Sequence, residues 1–162
     1  MELKYKFNTL EEVKLAIEKW FKDCGFDNKK NIVKQTYKLH SELGELADAY
    51  IKGNKENVKS EFGDCIVVLT GLCLMDEAEV DFVSEMKTNI DNDFNQLEFF
   101  NLVSNSAWEE CYQDSFVYLA EIADYMKLNV LECATIAYNK IQGRLERGEL
   151  KVVNGTVVKS GK

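Results

Sequence analysis

Glu42 and Glu45 lie 11 and 8 residues before Gly53, and Glu61 and Asp64 lie 8 and 11 residues after it. If the chain folds back at Lys52-Gly53-Asn54, this mirror spacing sets Glu42 against Asp64 and Glu45 against Glu61. Within each half, a spacing of three puts both carboxylates on one helical face, about one turn apart. Acids gathered in this way repel one another unless protons or cations neutralise them. An all-oxygen donor set favours hard cations, and Mg²⁺ characteristically joins protein carboxylates to phosphate oxygens. A glycine sits inside each pair, Gly44 and Gly63. Glycine in a helix costs about 1 kcal/mol relative to alanine, so the two point to backbones in close approach or to room for a ligand.

The elements that must position these acids read as helices. Proline is absent, and apolar residues recur at spacings of three and four along nearly the whole chain. Thr9 with Glu12 forms a capping box for a first helix reaching about Asp23, which Gly25 terminates. A second helix starts near Asp27 or Asn28 and covers about 30 to 52, with Leu39, Leu43, Leu46 and Tyr50 as its core stripe. Gln35, Lys38, Glu42 and Glu45 form the polar row beside that stripe. A third helix covers about 56 to 75 and turns apolar on every side after Asp64, which predicts burial and a homodimer or homotetramer. Residues 76 to 113 are less regular, with Asp91-Asn92-Asp93 the expected break between two further helices. Helices over about 116 to 127 and 130 to 147 follow, separated at Leu128-Asn129. Asn154-Gly155, flanked by Lys151-Val152-Val153 and Thr156-Val157-Val158, predicts a short C-terminal β-hairpin. The expected fold is therefore all-α, built on an antiparallel helix hairpin, in a single domain over 1-162.

Composition narrows the function class. A length of 162 residues fits one compact domain with a sizeable core. The formal charge of −8 argues against general nucleic-acid binding, which needs clustered Lys and Arg. Charge is nonetheless uneven: the stretch from Lys140 to Lys162 is locally +4. The five cysteines are odd in number and lack Cys-x-x-Cys spacing, as expected for reduced thiols in a cytoplasm. The longest nearly apolar run, Cys65 to Met75, is about half the length of a bilayer span, so no membrane partner is expected. The absence of a Glu-x-x-His pair counts against a di-iron centre on the same helix geometry. His40, the lone histidine, reads as a half-buried spacer. Glu121 and Asp124 repeat the spacing of three without a mirror partner and read as plain surface.

The stretch from Gln35 to Leu46, with Ser41-Glu42-Leu43-Gly44-Glu45 at its centre, is followed after a 15-residue spacer (46 to 60) by Glu61-Phe62-Gly63-Asp64. This resembles the Glu-Glu-x-x-Glu, spacer, Glu-x-x-Asp signature of the MazG-like all-α nucleoside triphosphate pyrophosphohydrolases. Ser41 stands where the signature has the first of its adjacent glutamates, leaving Glu42 as the acid expected to matter. Trp20, Gly25, the run Tyr138 to Arg144 and the tail from Val153 to Lys159 extend the likeness, and the tail looks like that of small phage-encoded members. The resemblance spans about 8 to 75 and 115 to 159 and leaves 76-113 as an apparent helical insertion, with a basic hairpin tail at about 148-162.

The resemblance implies Mg²⁺-dependent cleavage of a nucleoside triphosphate between its α and β phosphates by a metal-activated water, giving monophosphate and pyrophosphate, with Mn²⁺ a possible substitute. Glu42, Glu45, Glu61 and Asp64 are the expected metal ligands, and Glu45 or Glu61 the expected general base. Lys38, Lys140 and Arg144 are the candidates for phosphate contacts, and Asn139 matches an asparagine near the substrate. Trp20, Phe21 and Tyr37 are the aromatic candidates for stacking on the base. The expected location is cytoplasmic, in a host cell if the chain is phage-encoded. A non-catalytic helical partner protein with a solvated or structural-cation acidic cluster is the alternative.

Overall fold

The computed structural model describes the backbone of residues 3–81, 84, 86, 98–153 and 156–159, and side chains as far as Leu150. Six α-helices lie among the described residues: α1 (Leu10–Asp23), α2 (Ile32–Ile51), α3 (Lys55–Met75), α4 (Phe99–Trp108), α5 (Tyr112–Met126) and α6 (Val130–Glu146). Two short strands, β1 (Leu150–Val153) and β2 (Thr156–Lys159), pair antiparallel with Leu150 opposite Lys159. The expected turn at Asn154-Gly155 and the expected break at Asp91-Asn92-Asp93 lie outside the described residues.

Local chemistry explains the helix ends. The Thr9 hydroxyl accepts from the Glu12 amide at 3.2 Å, while the Glu12 carboxylate reaches back to the Asn8 amide at 2.7 Å. At the far end of α1, Gly25 adopts φ +68°, and the amides of Gly25 and Phe26 bond to the carbonyls of Lys22 and Phe21. That is the glycine-terminated cap expected where only a residue without Cβ adopts the left-handed conformation freely. Asn28 caps a single 3₁₀ turn, Lys29–Asn31, that leads into α2. Between α2 and α3, Gly53 takes φ +66° and Asn54 caps α3 by accepting from the Asn57 amide at 3.1 Å. The sharp turn folds the two long helices into an antiparallel hairpin, as the spacing of the acids requires.

Helix α3 is the axis of the molecule. It packs against α2 and α6 along much of its length, and against α1 and α5 further on. Phe62, Ile66, Leu69 and Leu72 of α3 meet Ile17 and Phe21 of α1, Leu39 and Leu46 of α2, and Phe116 and Leu119 of α5 in one core. Its residues from Phe62 to Leu72 are all buried by this chain alone. The all-round apolar character of α3 is therefore satisfied without a second subunit, which removes the reason for expecting an oligomer through this helix. Tyr50, expected in the core stripe of α2, is instead 45 % exposed. It sits in the last turn before the hairpin, where its ring rests against Tyr125 at 6.1 Å between centroids and its hydroxyl stays near water. Glu121, expected at the surface, is buried in α5 beside Ala120, Ile122 and Ala123, because α5 is covered by both α3 and α4. Asp124 is exposed. No helix among the described residues is long and apolar enough to cross a membrane.

Candidate metal and nucleotide site

The α2–α3 hairpin brings the acids together. Glu42, Glu45 and Glu61 each present a carboxylate oxygen within 4.8 Å of the others. Asp64 lies one turn beyond Glu61 and is engaged from α6: Lys140 makes an ion pair with Asp64 and also meets the Ser60 hydroxyl at 3.2 Å and Glu61 at 3.8 Å. Lys38, one turn before Glu42 on α2, makes an ion pair with Glu42. Ser41 donates to Glu45 at 3.2 Å and so orients that acid. The two lysines thus neutralise Glu42 and Asp64 from opposite sides of the cluster, one from α2 and one from α6.

Burial sets the electrostatics. The side chains of Glu42 and Asp64 are only 6 % and 10 % exposed. Burial pushes the Glu42 carboxyl up, against the opposing pull of Lys38, and Asp64 and Glu45 add to the rise. Asp64 is pushed up to about 6, again chiefly by burial, with Lys140 pulling the other way. Lys38 loses charge stability through its own burial but ends above its usual range because Glu42, Glu45 and Asp64 hold the proton on it. One carboxylate oxygen of Glu61, Oε2, is buried without a hydrogen-bond partner among the described residues. The Lys140 ammonium, at 3.8 Å, is an ion-pair partner of this oxygen but lies beyond hydrogen-bond distance, and a buried carboxylate oxygen with no hydrogen bond beside two further acids is a suitable ligand for a cation. The all-oxygen donor set fits Mg²⁺ or Mn²⁺ in kind and does not choose between them.

Two cavities flank the acids. One, of about 300 Å³, is lined by Glu42 and Asp64 together with Lys38, Arg144, Trp20, Phe26, Val67 and Val68. The other, of about 470 Å³, is lined by Glu45, Glu61, Ser41, Gly44 and the residues of the hairpin turn. The two glycines differ in purpose. A Cβ on Gly63 would meet the Cys133 carbonyl oxygen at 2.2 Å and the Ala137 Cβ at 2.8 Å, so this glycine lets α3 and α6 touch and sets Asp64 against Lys140. A Cβ on Gly44 would meet nothing within 4 Å. Gly44 makes no close approach and leaves open space beside Glu45.

Lys38, Arg144 and Trp20 thus share a cavity with two of the acids, and Lys140 reaches the acids directly. Asn139 is not among them. Its carboxamide accepts from the Tyr5 amide at 2.9 Å and donates to the carbonyls of Tyr5 and Thr135, which fastens the N-terminal segment to α6. Of the aromatic candidates, Tyr37 is 61 % exposed and leans on Trp108 at 6.5 Å. Phe21 closes over Gly71 in the core. Trp20 lines the cavity, and its ring is packed by Phe26, which stacks on it, and by Phe21, which meets it at right angles. His40 is exposed, with Nδ1 at 2.9 Å from the Thr36 carbonyl and Nε2 at 2.5 Å from the Ser104 hydroxyl, linking α2 to α4. Two further residues at the site carried no signal in the sequence: Ser60, which only the meeting of α3 with α6 brings to Lys140, and Asn31, which lines the cavity of Glu42 and Asp64.

No protein-family model, no curated protein and no solved structure matches this chain.

Proposed function

We propose that this protein is a Mg²⁺-dependent nucleoside triphosphate pyrophosphohydrolase of the MazG-like kind, a single domain with an insertion at 76-113 and a basic hairpin tail at 148-162. The observation that carries the reading is the convergence of Glu42, Glu45 and Glu61 within 4.8 Å, beside Asp64 and a cavity holding Lys38 and Arg144. Acids alone would repel a triphosphate, and cations alone would hold one without cutting it. Both together beside an apolar wall suit a phosphorylated ligand with an organic end.

Glu42, Glu45 and Glu61 would hold Mg²⁺, with Asp64 joining them when Lys140 releases it. The ion supplies charge neutralisation and lowers the pKa of water for attack on phosphorus. Glu45 or Glu61 orients and deprotonates the attacking water. Its oxygen bonds to the α-phosphorus while the bond to the bridging oxygen of the β-phosphate breaks, so pyrophosphate leaves. Lys38 and Lys140, tied to Glu42 and Asp64 in the structure, would hold phosphate oxygens once those pairs open, and Arg144 would grip the β and γ phosphates.

Incubation with Mg²⁺ and a panel of ribo- and deoxyribonucleoside triphosphates, resolving every phosphorylated product, tests the proposal. Monophosphate and pyrophosphate in equal amounts are expected, with none after chelation. Diphosphate and phosphate as products, or no turnover, overturn it. The same two ion pairs favour a second reading, because Lys38 and Lys140 already neutralise Glu42 and Asp64 within the fold, as a non-catalytic helical partner protein with a structural acidic cluster requires. That reading predicts no pyrophosphate.

A further inference from the structure

Helix α2 carries a second periodic stripe besides the one that enters the core. Val33, Tyr37, His40, Gly44, Ala47 and Ile51 follow one another at spacings of four, three, four, three and four, the pattern that keeps one helix face against another helix. In this chain the stripe faces outward. Val33 is 56 %, Tyr37 61 % and Ile51 83 % exposed, His40 and Gly44 are exposed as well, and Ala47 is half-buried. Exposed aromatics border it towards both ends, Trp108 of α4 beside Tyr37 and Tyr125 of α5 beside Tyr50. These four rings, about half exposed and worth about 150–250 Å² each when fully covered, leave with Val33 and Ile51 several hundred Å² of apolar surface open. That approaches the roughly 800 Å² that each partner gives to a stable interface, and apolar surface of this extent marks a protein–protein contact. Gly44, in the middle of the stripe, points the same way. A helical glycine costs about 1 kcal/mol relative to alanine, yet nothing in its own chain lies within 4 Å of where a Cβ would stand. The close backbone approach that a glycine permits is here open to a helix from outside the chain.

Charge identifies that helix. The first half of α2 exposes Lys34 and Lys38 and contains no acid, whereas the second half exposes Glu45 and Asp48 and contains no base before Lys52 at its C-cap. Two copies of α2 laid antiparallel set the basic half of each against the acidic half of the other, and two laid parallel set like charges together. The antiparallel arrangement also matches the apolar residues. Tyr37 and Ile51 lie seven residues to either side of Gly44, so a two-fold axis at Gly44 brings Tyr37 of each copy to Ile51 of the other. We propose that the exposed face of α2 is the interface of a homodimer, in which two α2 helices pack antiparallel about Gly44. Nothing in this pairing depends on what the acid cluster holds. Gly44 and Asp48 also line the cavity of about 470 Å³ beside Glu45 and Glu61, so the second copy borders that cavity.

Sedimentation equilibrium of the full chain at micromolar concentration should give twice the chain mass of 18.6 kDa. Tyr37→Lys and Ile51→Glu alter side chains that are largely exposed in the single chain, so helix content by circular dichroism should stay unchanged. Each should raise the dissociation constant of the dimer by about 10-fold or more. Leu15→Glu on α1, also exposed but outside the stripe, should leave the dimer intact. In the double variant Tyr37→Lys/Ile51→Glu the introduced charges face each other across the antiparallel interface, and dimerisation should return. Along one helix the two positions are about 21 Å apart, so pairing within a single copy cannot produce that rescue. A monomeric wild type, or a dimer that neither single variant weakens, overturns the interface. Single variants that weaken the dimer with no recovery in the double variant overturn the antiparallel pairing.

Discussion

At the scale of single residues, Glu42 and Asp64 are buried acids held by one lysine each, and the proposed hydrolysis requires those pairs to open. Asp64 gives the clearest pH signature. Its carboxyl ionises at about 6 in the folded chain, above the ordinary range near 3.9, so between those values the native state binds more protons than the unfolded state. Its contribution to stability is complete below about pH 4 and is lost as pH rises through 6. Denaturant unfolding of the metal-free protein should show this fall, which Asp64→Asn should flatten. Lys140→Met should extend the fall above pH 6, because Lys140 opposes the rise. At Glu45 and Glu61 the expected effect separates activity from stability. Glu45→Gln should lower kcat by about 100-fold or more, the share of a general base. It should also leave the metal-free melting temperature unchanged or higher, since one like charge leaves the cluster. A saturating concentration of Mg²⁺, about 100 times its Kd, should stabilise the wild type by about 2.7 kcal/mol and the Glu45→Gln variant by clearly less.

At the scale of elements, the α2–α3 hairpin and its contact with α6 position the site, and two glycines test this in opposite directions. Gly63→Ala drives a methyl group into Cys133 and Ala137 and should cost about 1–3 kcal/mol. The same change separates Asp64 from Lys140 and should lower activity beyond the loss of stability. Gly44→Ala meets open space and should stabilise α2 by up to about 1 kcal/mol, while its methyl narrows the space beside Glu45 and reduces kcat. Chemical denaturation with parallel rate measurements checks both. The hairpin was legible in the sequence because its signals are local and agree: mirror spacing of acids, Gly53 for the left-handed turn, and Asn54 as a cap. The Thr9 cap and the Gly25 terminus were legible for the same reason. What the sequence hid is set by neighbours far along the chain. Tyr50 fits the periodicity of the core stripe, but it falls in the last turn of α2, where Tyr125 covers it only in part. Glu121 has surface chemistry, but α3 and α4 enclose it. Asn139 sits among the basic residues of α6, yet a segment 134 positions earlier claims its amide.

At the scale of the whole molecule, acidic and basic halves of the charge distribution meet at one site. The −8 chain sets its cationic end, Lys140 and Arg144 of α6, against the acids of α2 and α3. This arrangement suits a ligand that needs cations for its phosphates and acids for its metal. With α3 covered by its own chain, self-association has to use other surfaces, such as the exposed aromatic pair Tyr37 and Trp108. The central claim is hydrolytic attack at the α-phosphorus. Turnover of a nucleoside triphosphate in ¹⁸O-labelled water with Mg²⁺, followed by mass analysis of both products, tests it most directly. One labelled oxygen in the monophosphate and none in the pyrophosphate is the result predicted here; label in the pyrophosphate, in released phosphate, or in no product contradicts it.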